Sequence, residues 1–361
     1  MNKVESMEEC IHIPISDVSE QNEKVLIDSE VEGGRNYCAF PTILQLDPER
    51  VLIAYKRGYA HCLDDSALEL IQLNPFMNTV DFRSVLEDTS GENCQDPEIM
   101  RLPNGDLVIY LDVQTASGKV CRLGIKEFRS HDEGKTWQLE RTSLTDDRGI
   151  AYGYIFDDVV LGESVYILAM TFPELENQGS GRSVHLLRSD DNGDHWNHVK
   201  NMKEEFGYSF NESTFLPLED GFFVVTRGDQ NIAKAFRMDR SGNMLAEQIL
   251  TGRFDCINAF GRPKLFQYDG SYYLLTRNVP KSGGTDLMVY RFDAKLLAPV
   301  SAVRLQSLNK PAGNSYYAEC YFHQNGENIR FDVITYSDKF SNGPDIVQVM
   351  YSWEELRDLL K

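Results

Sequence analysis

The amino-acid sequence predicts an all-β fold: a six-bladed β-propeller built from four-stranded antiparallel blades. A unit of apolar strand, turn and apolar strand occurs six times along the chain. The turns are rich in Asn-Gly and Asp-Gly pairs, which favour β-hairpins. Successive units are 51 to 58 residues apart, a spacing that fits one four-stranded blade per unit. The spacing is measured between these residues, one near the start of each unit: Pro41, Pro97, Tyr154, Glu212, Pro263 and Tyr317.

Each part of the chain has a place in this fold. Residues 1–35 are polar and acidic, and the alternation of Ile11, Ile13 and Ile15 favours an outer strand that closes the ring. The propeller domain follows over residues 36–351, and the apolar residues 346–351 are its last strand. Residues 352–361 are predicted to form a short C-terminal helix, because Ser352 and Glu355 have the spacing of a capping box. The hairpin turns fall at residues 46–50, 103–106, 161–164, 219–221, 268–271 and 324–327.

The composition limits the classes of partner. The chain has 361 residues and a formal net charge of −20, so it lacks the basic footprint that nucleic acids and anionic membranes require. No apolar run reaches the length of a membrane span, and the first nine residues lack the apolar core of a signal peptide. Seven scattered cysteines without a Cys-x-x-Cys pair favour a reducing compartment, so we expect a cytoplasmic protein. No motif implies a metal or an organic cofactor.

Two segments share the pattern Ser-x-Asp-x-Gly-x-x-Trp, at residues 130–137 and 189–196. In such a hairpin the aspartate accepts hydrogen bonds from turn amides, the glycine takes a positive φ, and the tryptophan packs back between strands. The pattern resembles the Asp-box, or BNR repeat, of the sialidase superfamily, and the resemblance covers residues 36–336. It implies a pocket on the propeller axis, lined by the ends of the innermost strands. It also implies that Asp132 and Asp191 are structural and lie away from that pocket.

The resemblance implies a nucleophile and a base. The segment Asn211-Glu212-Ser213-Thr214, followed fifteen residues after Glu212 by Arg227, is similar to the one that carries the sialidase base. Tyr317 lies nine residues before the turn glycine Gly326, where sialidases place a nucleophilic tyrosine. A tyrosine is a weak nucleophile unless a carboxylate takes its proton, and Glu212 would do so. Two simpler readings stay open: Glu212 as a strand-end ion pair, and Tyr317 as a wall on which a sugar stacks.

The proton donor has several candidates. Asp96, at the start of the second blade, is the leading one. Asp64 and Asp65 stand where the sialidase acid is expected, and Glu319 is a further carboxylate expected at the same mouth. Two carboxylates in different environments can divide the acid and base roles. The sequence leaves the assignment among them open.

The resemblance fails at the three arginines with which sialidases hold the substrate carboxylate. Ala39 stands in place of the first and Gly283 or Gly284 in place of the third, so that only Arg227 remains. This departure argues against sialic acid as the substrate. Other residues are expected to rebuild a sugar site at the same mouth, with Tyr154 as an apolar face: Arg57, His61, Arg262 and Arg277.

The sequence therefore predicts a glycoside hydrolase of the sialidase superfamily, acting on a terminal sugar of an oligosaccharide that is not ordinary sialic acid. Its partner would be a carbohydrate. Two alternatives remain. One is a carbohydrate-binding propeller that has no catalytic activity. The other is a polysaccharide lyase in which His61 acts as the base.

Overall fold

The computed structural model describes residues 13–19, 21–30, 34–116, 121–175, 181–228, 232–250, 256–310 and 315–361. Six antiparallel sheets, each with a core of four strands, form the blades of a propeller. Their innermost strands contact one another in sequence, and blade VI contacts blade I to complete the ring. The predicted all-β, six-bladed architecture is confirmed. We number the blades I to VI in the order of their innermost strands.

The first three blades are built from consecutive strands that run from the axis outward. Blade I contains Tyr37–Asp47, Arg50–Gly58, Ala67–Asn74 and Thr79–Asp88. Blade II contains Asn93–Arg101, Leu107–Thr115, Cys121–Ser130 and Gln138–Arg141. Blade III contains Tyr154–Leu161, Ser164–Thr171, Ser183–Ser189 and Asn197–Asn201. A small separate sheet between blades II and III pairs Leu144–Thr145 with Ala151–Tyr152.

The last three blades follow the same plan, with two strands borrowed from the N-terminal part of the chain. Blade IV contains Phe210–Leu218, Gly221–Gly228, Ala233–Asp239 and Met244–Ile249. Blade V contains Cys256–Tyr268, Ser271–Pro280, Thr285–Asp293, Ala298–Leu308 and the added Ile15–Asp17. Blade VI contains Ser315–Asn325, Asn328–Ser337, Asp345–Ser352 and the added Asn22–Ile27. The two helices are Met202–Phe206 and Trp353–Leu359, and no helix in the described ranges is long and apolar enough to cross a membrane.

Both ends of the chain contribute to closing the ring. The strand Asn22–Ile27 runs antiparallel to Asp345–Ser352 as the outermost strand of blade VI. The strand Ile15–Asp17 instead runs parallel to the outer strand of blade V. The sequence predicted an outer strand around Ile11, Ile13 and Ile15. Ile15 begins the outer strand that is added to blade V, and the strand that completes blade VI is Asn22–Ile27. Ile11 lies outside the described residues.

Each pair of neighbouring blades encloses its own hydrophobic core. The buried residues divide into six clusters, one for each interface around the ring. The C-terminal helix completes the cluster between blades V and VI, because Trp353 and Leu356 are buried in it. Ser352 caps this helix and accepts a hydrogen bond from the backbone N–H of Glu355, which confirms the predicted helix. The six cysteines in the described ranges are free thiols.

All six innermost strands carry a β-bulge near their start. The pairing with the second strand shifts between residues 39 and 42, 95 and 98, 155 and 157, 210 and 213, 261 and 264, and 315 and 318. A bulge adds a residue to one strand and re-aims its side chains. Asp96, Glu212, Arg262 and Tyr317 all lie within these shifts. The bulges therefore interrupt the ordinary alternation of side chains at these residues. All six bulges lie near the start of an innermost strand, so the candidate site residues lie at the same end of the axis.

The two Ser-x-Asp-x-Gly-x-x-Trp segments form the same turn in blades II and III. Asp132 accepts a hydrogen bond from the backbone N–H of Thr136 at 2.8 Å, and Asp191 accepts one from that of His195 at 2.9 Å. These hydrogen bonds are the leading cause that lowers the pKa of Asp132 to about 2. Both turns follow the third strand of their blade, at the end opposite to the bulges.

Alanine substitution at two turn glycines of blade II separates backbone strain from crowding. Gly134 has a φ of 85°, and a Cβ there would lie 2.8 Å from Cδ1 of the buried Leu52; Gly105 has a φ of 93° and open space around it. We expect Gly105→Ala to lower the unfolding free energy by about 1–2 kcal/mol, from the left-handed backbone alone. Gly134→Ala adds crowding of about 1 kcal/mol or more. Urea unfolding measures both; equal losses would contradict the crowding argument.

Candidate active site

The centre of the candidate site is a contact between blades IV and VI. The hydroxyl of Tyr317 donates a hydrogen bond to Oε1 of Glu212, 105 positions away in the sequence. Each residue lies in the bulge of its innermost strand. Glu212 is 6% exposed, so its carboxylate is largely shielded from water. The structure thus brings together the two residues that the sequence analysis named as nucleophile and base.

Two arginines flank the Tyr317–Glu212 pair. Nη2 of Arg227 lies 2.8 Å from Oε2 of Glu212. Nη2 of Arg277 donates to the Tyr317 hydroxyl at 3.3 Å, and its guanidinium carbon lies 4.3 Å from the centre of the Tyr317 ring. Charged donors of this kind stabilise a carboxylate or a phenolate more strongly than neutral donors do. Negative charge can therefore form on either oxygen of the pair.

The Tyr317 hydroxyl holds its proton at neutral pH. Burial raises the pKa of Tyr317, and the nearby charge of Glu212 raises it further, while Arg277 and Arg227 act in the opposite direction. The phenol is therefore not a ready-made nucleophile. Because its proton already points at Glu212, transfer to that carboxylate is the direct route to a reactive oxygen.

Arg262 and Tyr154 lie against the same pair from blades V and III. The backbone N–H of Arg262 donates to Oε2 of Glu212 at 3.4 Å. Its guanidinium donates to the Tyr154 hydroxyl at 2.9 Å and to Oε2 of Glu98 at 2.7 Å. Arg262 is 8% exposed, and its backbone φ is +45°. Arg262 therefore fixes the position of Glu212 through its backbone. Its guanidinium is already engaged by the side chains of Tyr154 and Glu98.

Asp96 and His61 complete the predicted set at this end of the axis. Burial raises the pKa of Asp96; the charges of Arg262, His61 and Arg122 lower it, and that of Glu212 raises it. A raised pKa favours the protonated form, which a general acid requires. The exposed His61 ring stands edge-on to Phe40 at 5.0 Å between ring centres.

Three candidate residues make their described contacts with groups other than the Tyr317–Glu212 pair. Arg57 lies 3.2 Å from Glu69 in an ion pair of blade I. Asp64 and Asp65 hold loops: they accept hydrogen bonds at 2.7 Å from the backbone N–H groups of Ala116 and Gly91. Neighbouring strand residues point to opposite faces, so Arg57 faces away from the side to which Lys56 points.

Glu319 also lies away from the expected mouth. It is two residues beyond Tyr317 on the same strand, which carries it about 6–7 Å further along the axis. There its carboxylate lies 3.4 Å from Nζ of Lys264, which also contacts Asp157 at 2.8 Å and Glu98 at 3.4 Å. These residues lie further along the propeller axis than the Tyr317–Glu212 pair. Lys264, Asp157 and Glu319 line a cavity of about 560 Å³ there.

A group of carboxylates at that end has the spacing of a cation site. Oxygens of Glu98, Asp157 and Asp158 lie within 4.8 Å of one another. The Lys264 ammonium already supplies positive charge to two of the three. We therefore assign this group a structural role.

Several residues at the site were not found from the sequence. Lys56 donates to Asn93 Oδ1 and, at 2.7 Å, to the backbone oxygen of His61, and burial lowers its pKa to about 8. Arg122 and Arg182 stand where the third strands of blades II and III begin. A topological signal was present: in an antiparallel blade the third strand starts at the same end as the first. Arg122 and Arg182 were not among the residues predicted from the sequence.

The pKa of Glu319 gives a prediction for stability against pH. Burial raises this pKa from 4.5 to about 7. The folded protein therefore holds a proton that the unfolded chain releases, so this contribution is fully present below pH 4.5 and is lost as the pH rises through about 7. We expect the melting temperature to fall between pH 5 and 7.5, and Glu319→Gln to flatten that fall. The control is Glu327→Gln at an exposed turn of the same blade; identical profiles would contradict the assignment.

The fold of this chain is similar to that of several solved structures. A protein of unknown function from Dyadobacter fermentans has a TM-score of 0.70 at 17% identity, over 91% of this chain and 97% of that one. A Trypanosoma rangeli sialidase solved with sialic acid has a TM-score of 0.59 at 11% identity, over 96% of this chain and 61% of that one. An α-L-arabinanase from Penicillium chrysogenum, solved with arabinobiose, has a TM-score of 0.59 at 10% identity, over 93% and 99%.

These likenesses establish a fold that glycoside hydrolases also use, at identities too low to transfer an activity. No protein-family model matches the sequence, and no curated protein matches it. The function must therefore be argued from the site itself.

Proposed function

We propose that this protein is a glycoside hydrolase that acts on the terminal sugar of an oligosaccharide, with Tyr317 as nucleophile and Glu212 as its base. One observation carries the proposal: the Tyr317 hydroxyl donates to Glu212 while Arg227 and Arg277 contact the two members of the pair. A stacking wall would need neither a buried carboxylate on its hydroxyl nor an arginine on each member. The pair has the composition of an activated nucleophile.

The first half of the reaction follows from these contacts. The Tyr317 oxygen attacks the anomeric carbon while its proton passes to Glu212, and the glycosidic bond to the leaving oxygen breaks. Arg277 stabilises the charge on the phenolic oxygen, because its Nη2 lies 3.3 Å away. Asp96 donates a proton to the leaving oxygen; its raised pKa supports that role. The products of this half are a covalent aryl glycoside, in which the anomeric carbon is bonded to the phenolic oxygen of Tyr317, and a free alcohol.

The second half reverses the proton movements. Water attacks the anomeric carbon, Asp96 takes a proton from that water, and the Tyr317 oxygen leaves and regains its proton from Glu212. Two displacements at one carbon retain the anomeric configuration. The nucleophile is neutral before reaction, so it does not repel an anionic sugar.

The contacts around the pair argue against ordinary sialic acid. Ala39, at the position of the first missing arginine, is fully buried and offers no charge. Arg227 is engaged by Glu212, and Arg277 by Tyr317. Aromatic surface is present instead in Phe40, whose ring lies 5.8 Å from that of Tyr317. We propose a carbohydrate substrate and, from the free thiols of the described ranges, a reducing compartment.

A panel of aryl glycosides, saturated uronides and one α-sialoside tests the proposal. We expect the wild type to release the aryl group from one sugar with retained configuration, followed by proton NMR of the product. Glu212→Gln should lose this activity. Glu219→Gln, at the exposed turn that ends the same strand, should keep it.

The other outcomes point elsewhere. An unsaturated product without incorporation of oxygen from labelled water would indicate a lyase with His61 as base. A thermal shift with some sugar but no turnover across the panel would indicate a binding propeller. Turnover of the sialoside would show that other arginines replace the missing ones.

A further inference from the structure

Two guanidinium groups share one aromatic ring at the site end of the axis. The guanidinium carbon of Arg122 lies 4.7 Å from the centre of the Phe172 ring, and that of Arg182 lies 5.5 Å from it. Phe172 is 7% exposed, Arg122 is partly buried and Arg182 is exposed. Two like charges beside one ring repel each other, and a bound anion relieves that repulsion. Burial lowers the pKa of Arg122, and the charge of Arg182 contributes in the same direction.

The protein neutralises only one of these charges within its described residues. Arg122 is paired with the buried Asp112. In the same part of the chain the polar contacts of Arg182 are neutral: Asn211 Oδ1 at 3.4 Å and the sulfur of Met170 at 3.2 Å. A chain with a net charge of −20 has acidic residues in excess. The second guanidinium nevertheless has neutral contacts at the site where a ligand would enter.

The arginine pair is close to the reacting groups but on a different side of the axis. Arg122 lies 5.8 Å from the ring centre of Tyr154, whose hydroxyl accepts from Arg262. Asn211, which contacts Arg182, is the neighbour of Glu212 in the blade IV bulge. Arg227 and Arg277 instead contact Glu212 of blade IV and Tyr317 of blade VI. A sugar whose anomeric carbon faces Tyr317 would therefore present another ring position to blades II and III.

We propose that Arg122 and Arg182 form a subsite for an oxyanion carried by the substrate sugar, a carboxylate or sulfate ester, at a carbon other than the anomeric one. The inference rests on the proposed function for the direction in which the sugar lies. Guanidinium groups pair with planar or tetrahedral oxyanions through two N–H donors at once. Phe172 contacts both groups through cation–π interactions. The substrate class would be an acidic glycan with its charge remote from the scissile bond.

Binding of matched sugars tests the subsite without requiring turnover. The two series are galactose, galacturonate and galactose 6-sulfate, and glucose, glucuronate and glucose 6-sulfate, measured by calorimetry. We expect the anionic members of at least one series to bind about ten- to a hundredfold more tightly than the neutral sugar, as charged hydrogen bonds do. Comparison of the uronate with the sulfate ester identifies the oxyanion. No preference for an anion in either series overturns the proposal.

Arg182→Gln and Arg188→Gln are the matched variants. The two arginines stand at opposite ends of the strand Ser183–Ser189, and Arg188 pairs with Asp190 at the far end. Arg182→Gln should abolish the anion preference and leave neutral sugars unaffected, whereas Arg188→Gln should retain it. A preference that survives Arg182→Gln overturns the proposal. Arg122→Lys serves for the second arginine, because it keeps a charge beside the buried Asp112.

The subsite and the proposed function fail in different ways. Turnover of a neutral aryl glycoside, unchanged by Arg182→Gln and with no anion preference, would remove the subsite and keep the hydrolase. Anion binding that depends on Arg182, without turnover of any glycoside, would keep the subsite and remove the hydrolase.

Discussion

Tyr317→Phe is expected to lower kcat by about a thousandfold or more, because the variant lacks the oxygen that attacks the anomeric carbon. The ring remains, so a stacking role for Tyr317 would survive the change. Affinity for the product sugar should therefore fall little while turnover is lost. Steady-state kinetics and product binding by calorimetry together measure this split. The control is Tyr272→Phe, which should retain wild-type kcat. Tyr272 follows the hairpin turn of blade V, at the end of the axis opposite to the site.

A covalent probe makes the same prediction sharper. A 2-deoxy-2-fluoro glycosyl fluoride of the sugar identified in the panel should label the wild type, and peptide mass spectrometry should place the adduct on Tyr317. Glu212→Gln should be labelled far more slowly, because its amide cannot take the phenolic proton. Turnover by Tyr317→Phe within tenfold of the wild type would show that another group attacks the sugar.

Lys264→Met is expected to cause the largest loss of stability, about 3–5 kcal/mol of unfolding free energy at neutral pH. The Lys264 ammonium lies within 3.4 Å of carboxylates from blades II, III and VI: Glu98, Asp157 and Glu319. Asp157 in turn accepts from the hydroxyl of Thr214 in blade IV at 2.6 Å. Removing the charge leaves three carboxylates facing one another in a poorly hydrated channel, which is the costly way to break such a network.

The pH dependence of this loss distinguishes electrostatics from packing. At pH 5 Glu319 is largely protonated, since burial raises its pKa to about 7, so Lys264→Met should cost less there than at pH 7.5. A loss caused by the changed shape would not depend on pH. Lys295→Met, at an exposed position of the same blade, should change stability by less than about 0.5 kcal/mol. Chemical denaturation of the wild type and of both variants at both pH values measures these differences.

The fold was predictable because the sequence pattern of a blade occurs six times along the chain. Every blade has the same alternation of strand and turn, so an error in one unit does not change the number of units. Glu212 and Tyr317 were also predictable, because each starts an innermost strand and such starts meet on the axis. The alternation of Ile11, Ile13 and Ile15 indicated an outer strand, and Ile15 begins one in blade V; the strand from Asn22 that pairs with the last strand has a weaker alternation and was not predicted.

The remaining site residues were harder to predict, for a geometric reason. Glu319 faces the axis as Tyr317 does, and only the rise along the strand separates the two in space. Arg57 and Lys56 are adjacent in sequence, and the pleat alone decides which of them reaches Asn93. Arg182 meets the site through Asn211, a contact between blades. Contacts of this kind depend on bulges and inter-blade distances, which the pattern of one strand does not contain.

The shared construction of blade VI sets the order in which the protein is completed. Its outermost strand is made of residues 22–27, and its neighbour of residues 345–352, so more than 300 residues are synthesised between the two partners. At 5–20 residues per second this takes roughly 15–65 s. During that time blades I to V can form in turn on the ribosome, while the early strand has an unsatisfied edge and is exposed to non-native pairing. Pairing of residues 345–352 with residues 22–27 therefore completes the ring late in synthesis, and chaperones that cover strand edges would act on the nascent chain before it.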